Sequence, residues 1–122
     1  MARILIVEDE LPMAKALALK FTEIEYETVI ALNGKEALSV LDNEEIDLII
    51  LDIVMPTMNG IAFLRELVKQ NVAIPVIVAS NLSHEDDITE ARRLGAKDYF
   101  IKADTTLNDI VAKVKNIIEE ES

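Results

Sequence analysis

Residues 48–52 read Leu-Ile-Ile-Leu-Asp, an unbroken apolar run that ends in a carboxylate. A second run of this kind lies near the N-terminus, where residues 4–7 read Ile-Leu-Ile-Val and residues 8–10 read Glu-Asp-Glu. Short continuous runs of β-branched and apolar residues are typical of strands that are covered on both faces, as in parallel sheets. We therefore expect both runs to form central strands of one parallel sheet, each followed directly by acidic side chains.

Three further segments rich in β-branched and apolar residues also predict strands. The five predicted strands are Ile4–Val7, Thr28–Ala31, Leu48–Leu51, Val76–Ala79 and Tyr99–Ile101. The intervening and final stretches show the apolar spacing of amphipathic helices. The last helix has Leu107, Ile110, Val111, Val114, Ile117 and Ile118 on one face, and the first has Ala14, Leu17, Phe21 and Ile24. The capping pairs that predict helix starts are Asn33 with Glu36, Ser83 with Asp86, and Thr106 with Asp109.

The alternation of strands and helices predicts an α/β fold with a parallel sheet, because a crossover helix fits between each pair of successive strands. The second strand follows the charged segment Glu25-Tyr26-Glu27 and the fifth is short, so we place these two at the edges. With right-handed crossovers, the strand order 2-1-3-4-5 satisfies this placement. The expected fold is a single flavodoxin-like (βα)5 domain over residues 1–122, with helices on both faces of the sheet.

Composition excludes several classes of protein. The chain has no cysteine, so it can form neither a disulfide framework nor a thiolate metal site. Its 12 Lys and Arg against 23 Asp and Glu give a net charge of −11, which disfavours direct binding to nucleic acid and to anionic membranes. We find no signal peptide and no segment that could span a bilayer, and we expect a cytoplasmic protein.

The residues that follow the strands are the candidates for chemistry. Ligands of open parallel sheets bind beyond the carboxyl ends of the strands, where the strand order reverses, here between strands one and three. Residues 8–10 follow strand one, Asp52 follows strand three, Ser80 follows strand four and Lys102 follows strand five. Each alone has an ordinary explanation as a cap, a turn residue or a surface charge. Their expected convergence at one edge of the sheet is what indicates a site.

Crowded carboxylates at that edge would repel one another unless a cation shares the site. Mg²⁺ is the expected cation, because it prefers oxygen ligands and is held by one or two carboxylates together with a phosphate. A carboxylate can also attack phosphorus and form an acyl phosphate when a metal and a lysine neutralise the developing charge. Asp52 and Lys102 are the candidates for nucleophile and neutralising lysine.

Several motifs of this sequence occur together in one known family. They are Glu8-Asp9 in Ile-Val-Glu-Asp, Asp52 in Leu-Ile-Ile-Leu-Asp-Ile-Val-Met-Pro, then Gly60, Ser80, and residues 95–102, Gly-Ala-Lys-Asp-Tyr-Phe-Ile-Lys. In these motifs the chain resembles the CheY-like receiver domains of two-component response regulators, and the resemblance covers the whole chain.

The resemblance implies that Asp52 accepts a phosphoryl group from a sensor histidine kinase or a phosphotransfer protein in the presence of Mg²⁺. It implies that Asp9, Asp52 and the backbone carbonyl of Val54 hold the metal, and that Glu8 acts mainly through a metal-bound water. A domain of this kind assists its own phosphorylation and dephosphorylation but does not turn over an external substrate.

The resemblance also implies how the phosphorylated state is recognised. Ser80 and Lys102 would contact the phosphoryl oxygens, and Tyr99 would turn inward in the active state. An ordinary explanation of Tyr99 is a half-buried aromatic on an edge strand. The signal would pass to a downstream effector through the surface formed by the fourth helix, the fifth strand and the fifth helix.

Two positions depart from the family pattern. Ala103 stands where many members have a proline that follows a cis bond, so we expect a trans or differently shaped loop after the lysine. Glu8 replaces the more common aspartate with a longer acid that the family also uses. Pro56 and Gly60 are expected to serve loop geometry, and we assign no phosphorelay role to His84.

Three alternatives use parts of the same pattern. A phosphatase of the haloacid dehalogenase type would need a second aspartate two residues after the first, where this chain has Val54. A flavin-binding protein would need a polar phosphate loop after strand one, where carboxylates would repel the phosphate. A pseudo-receiver that only docks to a partner would be expected to have lost at least one of Asp9, Asp52, Ser80 and Lys102.

Overall fold

A computed structural model of the chain describes residues 2–55, 57–81 and 85–121. Pro56, His84 and the predicted cap residue Ser83 lie outside the described residues, so the expectations for them stay predictions. All predicted strands and the other candidate site residues fall inside the described ranges.

Five strands alternate with five α-helices within the described ranges. They are β1 Arg3–Val7, α1 Leu11–Glu23, β2 Glu27–Ala31, α2 Gly34–Asn43, β3 Leu48–Asp52, α3 Gly60–Lys69, β4 Val76–Ser80, α4 Glu85–Arg93, β5 Asp98–Ile101 and α5 Leu107–Glu121. A short 3-10 turn, Lys102–Asp104, joins β5 to α5. Every predicted strand is confirmed and is one residue longer than expected. In β3 and β4 the additional residues are Asp52 and Ser80 themselves.

The strands form one parallel sheet in the order β2-β1-β3-β4-β5, which confirms the predicted fold and the two predicted edges. The register aligns the carboxyl ends of the strands. Val7 lies opposite Leu51, Asp52 lies opposite Ala79, and the next residue of β4 lies opposite Ile101. The residues at the ends of β1, β3, β4 and β5 therefore meet at one edge of the sheet.

Helices cover both faces of the sheet, so the central strands are buried on each side. On one face, α1 and α5 bury Phe21, Ile110 and Val114 against the sheet, which confirms both predicted apolar stripes. On the other face, Phe63 of α3 packs with residues of α2 and α4, such as Ala91. This double coverage explains why the sequences of β1, β3 and β4 are apolar without alternation.

Side-chain caps fix the starts of several helices. The side chain of Asn33 accepts a hydrogen bond from the Glu36 N–H, and that of Thr106 accepts one from the Asp109 N–H, so both predicted caps are confirmed. Asn59 caps α3 in the same way, which the sequence analysis did not predict. Each cap satisfies a backbone N–H that has no partner inside its helix.

The first residue of α3, Gly60, packs directly beneath the end of β3. Its N–H donates a 2.8 Å hydrogen bond to the carbonyl of Ile53. A Cβ atom at Gly60 would lie 2.6 Å from the carbonyl oxygen of Asp52 and 2.8 Å from the Cα of Ile53. Both contacts are to backbone that cannot rotate away. Glycine is therefore required for the close approach that supports Asp52 from below.

We predict that Gly60→Ala lowers the free energy of unfolding by about 1–3 kcal/mol, because the added methyl forces the backbone of β3 to shift. Urea denaturation measures this change. Ala62→Ser, two residues further along the same helix, adds one atom where the side chain is half-exposed, and helix propensity alone should limit its cost to about 0.5 kcal/mol. Equal stability of Gly60→Ala and the wild type would contradict the close approach.

Candidate functional site

Polar side chains are buried at the carboxyl edge of the sheet. Among the residues that the structure describes, the buried charged or hydroxyl side chains are Glu8, Asp52 and Ser80, with exposures of 4%, 2% and 2%. The side chain of Lys102 is also only 6% exposed. Charged side chains are rarely buried this deeply unless they are paired. The predicted convergence of these four residues therefore agrees with their placement in the structure.

The ammonium of Lys102 lies between three carboxylates. Its Nζ atom is 2.5 Å from Oε1 of Glu8, 3.1 Å from Oδ2 of Asp52 and 3.5 Å from Oε1 of Glu10. An ammonium has three N–H donors, so each carboxylate can accept one. The 3-10 turn that begins at Lys102 turns the chain so that this side chain returns over the end of the sheet.

Glu8 is the carboxyl group of the site whose burial is least offset by hydrogen bonds and opposite charge. Burial and the neighbouring Asp52 carboxylate raise the pKa of Glu8 to about 8, although Lys102 opposes the shift. Its Oε2 atom is buried and has no hydrogen-bond partner among the described residues. A buried acceptor of this kind is costly when it is charged. The side chain is thus placed to bind either a proton or a cation.

Lys102 remains charged in this surrounding. Burial on its own lowers the pKa of Lys102, but the hydrogen bonds and charges of Glu8 and Asp52 outweigh it and raise the pKa above its usual value. The lysine can therefore neutralise negative charge at Asp52, which is the role that the sequence predicts for it.

The loop after β3 contacts the second oxygen of Asp52. The Val54 N–H donates a 3.3 Å hydrogen bond to Oδ1, while the Val54 side chain is 61% exposed. Thr57, three residues further, has a φ of 68°, which is rare for a β-branched residue. Strained backbone of this kind is common at functional sites. Both carboxylate oxygens of Asp52 therefore have a hydrogen-bond partner.

The acidic side chains that follow β1 do not all lie in the same place. Glu8, Glu10 and Asp52 offer ligand atoms that all lie within 4.8 Å of one another, whereas Asp9 is exposed and is not part of this group. No role for Glu10 was predicted from the sequence. Alternation along the chain was the signal that could have indicated Glu10. Residues two apart in an extended chain face the same side, and Glu10 is extended (φ −82°, ψ 91°), as expected for a side chain that faces the same side as Glu8.

The edge strand β5 carries the predicted switch residue. Tyr99 is half-buried, and the guanidinium of Arg92 on α4 lies 5.1 Å from the centre of its ring. Asp98 binds Lys113 of α5 through a 3.0 Å ion pair. Side chains of β5 thus link the sheet to α4 and α5. The half-buried position fits the ordinary explanation of Tyr99, and its inward movement stays a prediction.

The loop at Ala103 has the ordinary peptide geometry. No cis peptide bond occurs among the described residues, so the Lys102–Ala103 bond is trans. This agrees with the expectation drawn from the missing proline.

The oxygen-only donor set fits a hard divalent cation. Glu8, Glu10 and Asp52 supply carboxylate oxygens, and the orphaned Oε2 of Glu8 leaves a buried acceptor for such an ion to satisfy. No helix within the described ranges has the length and apolar character needed to cross a membrane.

Comparison with known protein families identifies the family of this domain. The family model of the response regulator receiver domain matches residues 4–115. The chain belongs to this family. Receiver domains of this family act in phosphorylation-dependent two-component signalling, as the resemblance in the sequence predicted.

Individual relatives agree with this assignment. A probable transcriptional regulatory protein of Picosynechococcus sp. is 35% identical over 98% of this chain and 50% of its own length. The receiver domain of Francisella response regulator 1452 is 30% identical, with a TM-score of 0.92 over 100% of both chains. Response regulator protein TrrA of Thermotoga maritima, solved in complex with Mg²⁺-BeF, is 32% identical, with a TM-score of 0.83 over 95% of this chain and 98% of that one. The chain spans about half the length of the curated relatives it matches.

We predict that the stability of the metal-free receiver domain carries a pH dependence from Glu8. The folded protein holds this proton up to about pH 8, whereas the unfolded chain releases it near pH 4.5. Between these values the folded state binds more protons, so the contribution of Glu8 to stability falls as pH rises. Urea unfolding in a chelating buffer should show Glu8→Gln gaining stability relative to the wild type from pH 5 to pH 8.

Glu45→Gln removes an exposed carboxylate in the loop before β3 and controls for the change in net charge. A constant difference between Glu8→Gln and the wild type across this pH range would show that the buried carboxyl is not the cause.

Proposed function

We propose that this receiver domain is a Mg²⁺-dependent switch that accepts a phosphoryl group on Asp52. The observation that carries the proposal is the position of Lys102, whose buried ammonium contacts Asp52 at 3.1 Å beside the under-compensated Glu8. A carboxylate next to a fixed ammonium and a cation-binding acid has the parts that phosphoryl transfer to an acid requires.

The proposed reaction moves the phosphoryl group from a donor to Asp52. A carboxylate oxygen of Asp52 attacks phosphorus, and a new P–O bond forms as the bond from phosphorus to the donor breaks. With a phosphohistidine donor, the leaving imidazole takes the electron pair and then a proton. Lys102 stays charged throughout and neutralises the acyl phosphate. Ser80, buried at the end of β4, is proposed to donate its hydroxyl to a phosphoryl oxygen.

The proposed metal set follows the family pattern. Asp9, Asp52 and the carbonyl of Val54 would hold Mg²⁺, and Glu8 would act mainly through a bound water. When bound, the ion neutralises carboxylate and phosphoryl charge and helps to align the phosphoryl group. The complex of Thermotoga maritima TrrA with Mg²⁺-BeF supports this proposal, because it comes from a protein of the same family with a closely similar fold.

The proposed partners are a sensor histidine kinase or a phosphotransfer protein upstream and an effector protein downstream. The net charge of −11 argues against direct contact with nucleic acid or an anionic membrane by this domain. We propose a cytoplasmic location, where such partners present their phosphohistidine.

The proposed switch is not a turnover enzyme. A phosphatase would need a general acid near Asp52, but the residue two positions later is Val54, whose apolar side chain is exposed. The carboxylates of Glu8 and Glu10 would repel a flavin phosphate at the same edge. The intact contacts of Lys102 argue against a domain that only docks.

The proposed output surface comprises α4, β5 and α5. Movement of Ser80 towards the phosphoryl group would change the packing next to Tyr99, which lies on the neighbouring strand opposite Val78. A partner that binds this surface could distinguish the two states only by its difference in affinity for them. Tyr99 and Ser80 are the proposed links between site and surface.

We predict that Asp52→Asn folds normally but gains no mass on incubation with acetyl phosphate and Mg²⁺, because the amide cannot form the acyl phosphate. Mass spectrometry of the intact protein measures the added phosphoryl group. Asp42→Asn, an exposed change on α2, should still be phosphorylated as the wild type is. Phosphorylation of Asp52→Asn at the wild-type level would contradict the assignment.

We predict that Asp9→Asn weakens Mg²⁺ binding by about tenfold or more, which corresponds to about 1.4 kcal/mol, because a direct carboxylate ligand is lost. Calorimetric titration measures the affinity, with Asp42→Asn as the control for lost charge. Unchanged affinity in Asp9→Asn would remove Asp9 from the ligand set.

We predict that Ser80→Ala still accepts beryllofluoride, a stable mimic of the acyl phosphate, but loses the coupled change at Tyr99. Proton NMR of the Tyr99 ring with and without the mimic tests this. The Tyr26 ring, stacked on Phe21 with centroids 6.2 Å apart, is an internal reference in the same spectrum. Equal shifts of the Tyr99 ring in wild type and Ser80→Ala would show that the hydroxyl does not couple the two residues.

A further inference from the structure

The side chain of Glu10 does not cap the helix that follows it. It is the N-cap residue of α1, yet its carboxylate makes no capping hydrogen bond. The carboxylate turns instead towards the carboxyl edge of the sheet, where Oε1 lies 3.5 Å from the ammonium of Lys102. An uncapped first turn is unfavourable for a helix. The orientation of Glu10 therefore serves the site more than it serves α1.

A second observation at the same place is a buried acceptor without a hydrogen-bond donor. The Oε2 atom of Glu8 is buried without a partner among the residues that the structure describes, on a side chain that is 6% exposed. Lys102 already contacts one oxygen of each of three carboxylates, so its N–H donors are all in use. The acceptor that remains without a donor at this edge is Oε2 of Glu8, and a cation would satisfy it.

We propose that Glu10 supplies a further carboxylate to the divalent-cation site, in addition to the family's acidic residues. The ligand atoms of Glu8, Glu10 and Asp52 lie within 4.8 Å of one another, close enough to face one ion. With all three ionised, three negative charges and the one positive charge of Lys102 leave a charge of −2. The proposed ligand Asp9 adds a further negative charge, and this net negative charge favours a divalent cation. The inference rests on the proposed Mg²⁺-dependent function of the same site.

The exposure of Glu10 sets the size of its contribution. Its side chain is 56% exposed, far more than those of Glu8 and Asp52, so solvent screens its charge. A solvent-screened charge next to a divalent ion is worth about three- to tenfold in affinity. Glu10 is therefore a determinant of cation affinity, while Asp52 remains the group that reacts.

The test is calorimetric titration of the full chain with MgCl₂ alone, without any phosphodonor. Glu10→Gln keeps the shape of the side chain and removes its charge, and Glu10→Asp keeps the charge on a shorter side chain. Glu45→Gln, in the loop before β3, is the control for net charge. Thermal unfolding followed by circular dichroism checks that each variant is folded.

We expect Glu10→Gln to weaken Mg²⁺ binding by about three- to tenfold relative to Glu45→Gln, with partial recovery in Glu10→Asp. Affinity in Glu10→Gln that equals or exceeds that of Glu45→Gln would overturn the inference. If that result came with normal phosphorylation of Asp52, the proposed function would stand alone. If Glu10 proved important for Mg²⁺ but Asp52 were never phosphorylated, the metal site would stand and the proposed function would fail. A wild type that binds no Mg²⁺ would overturn both.

Discussion

The buried ammonium of Lys102 is the interaction on which the site depends. It brings positive charge to Glu8 and Asp52, two carboxylates with side chains only 6% and 3% exposed, which would otherwise face each other across the carboxyl ends of β1 and β3. Buried charges are costly, and removing one partner of such a group leaves the others uncompensated. Even with the lysine in place, one oxygen of Glu8 has no partner among the described residues. The described residues of the site therefore leave one buried acceptor that a proton or a cation can satisfy.

The sheet fixes this arrangement because its backbone pairing continues to the last residue before each loop. The N–H of Ile53 bonds to the carbonyl of Ala79, and the N–H of Glu8 bonds to the carbonyl of Ala31, so the ladder reaches Asp52 and Glu8. Gly60 then supports the end of β3 at a distance that no side chain would allow. The close approach of Gly60 on one side and the hydrogen bond from the Val54 N–H on the other fix the position of Asp52. Such preorganisation matters because catalysis by fixed charges requires them to be in place before the reaction.

Much of this could be predicted from the sequence because the relevant signals are local or follow from the periodicity. Apolar runs located the strands, and the parallel topology then required that Asp52, Ser80 and Lys102 meet at one edge. The orientation of neighbouring side chains was harder to predict. Alternation along the chain suggests that Glu10 and Asp9 face different sides, but the contact of Glu10 with Lys102 also depends on the extended backbone before α1. The contact between Arg92 and Tyr99 was also missed, since it depends on how α4 packs against β5. The cap at Asn59 was overlooked although its residue type was visible.

We propose that the cation and the phosphoryl group occupy one shared site built on Asp52 and Lys102. Fluorine NMR of beryllofluoride tests it most directly, because the mimic gives separate resonances for the bound and free forms without any partner protein. Bound resonances should appear with the wild type only when Mg²⁺ is present, and chelation of the metal should remove them. Bound resonances of equal intensity without Mg²⁺, or none at any Mg²⁺ concentration, would contradict it.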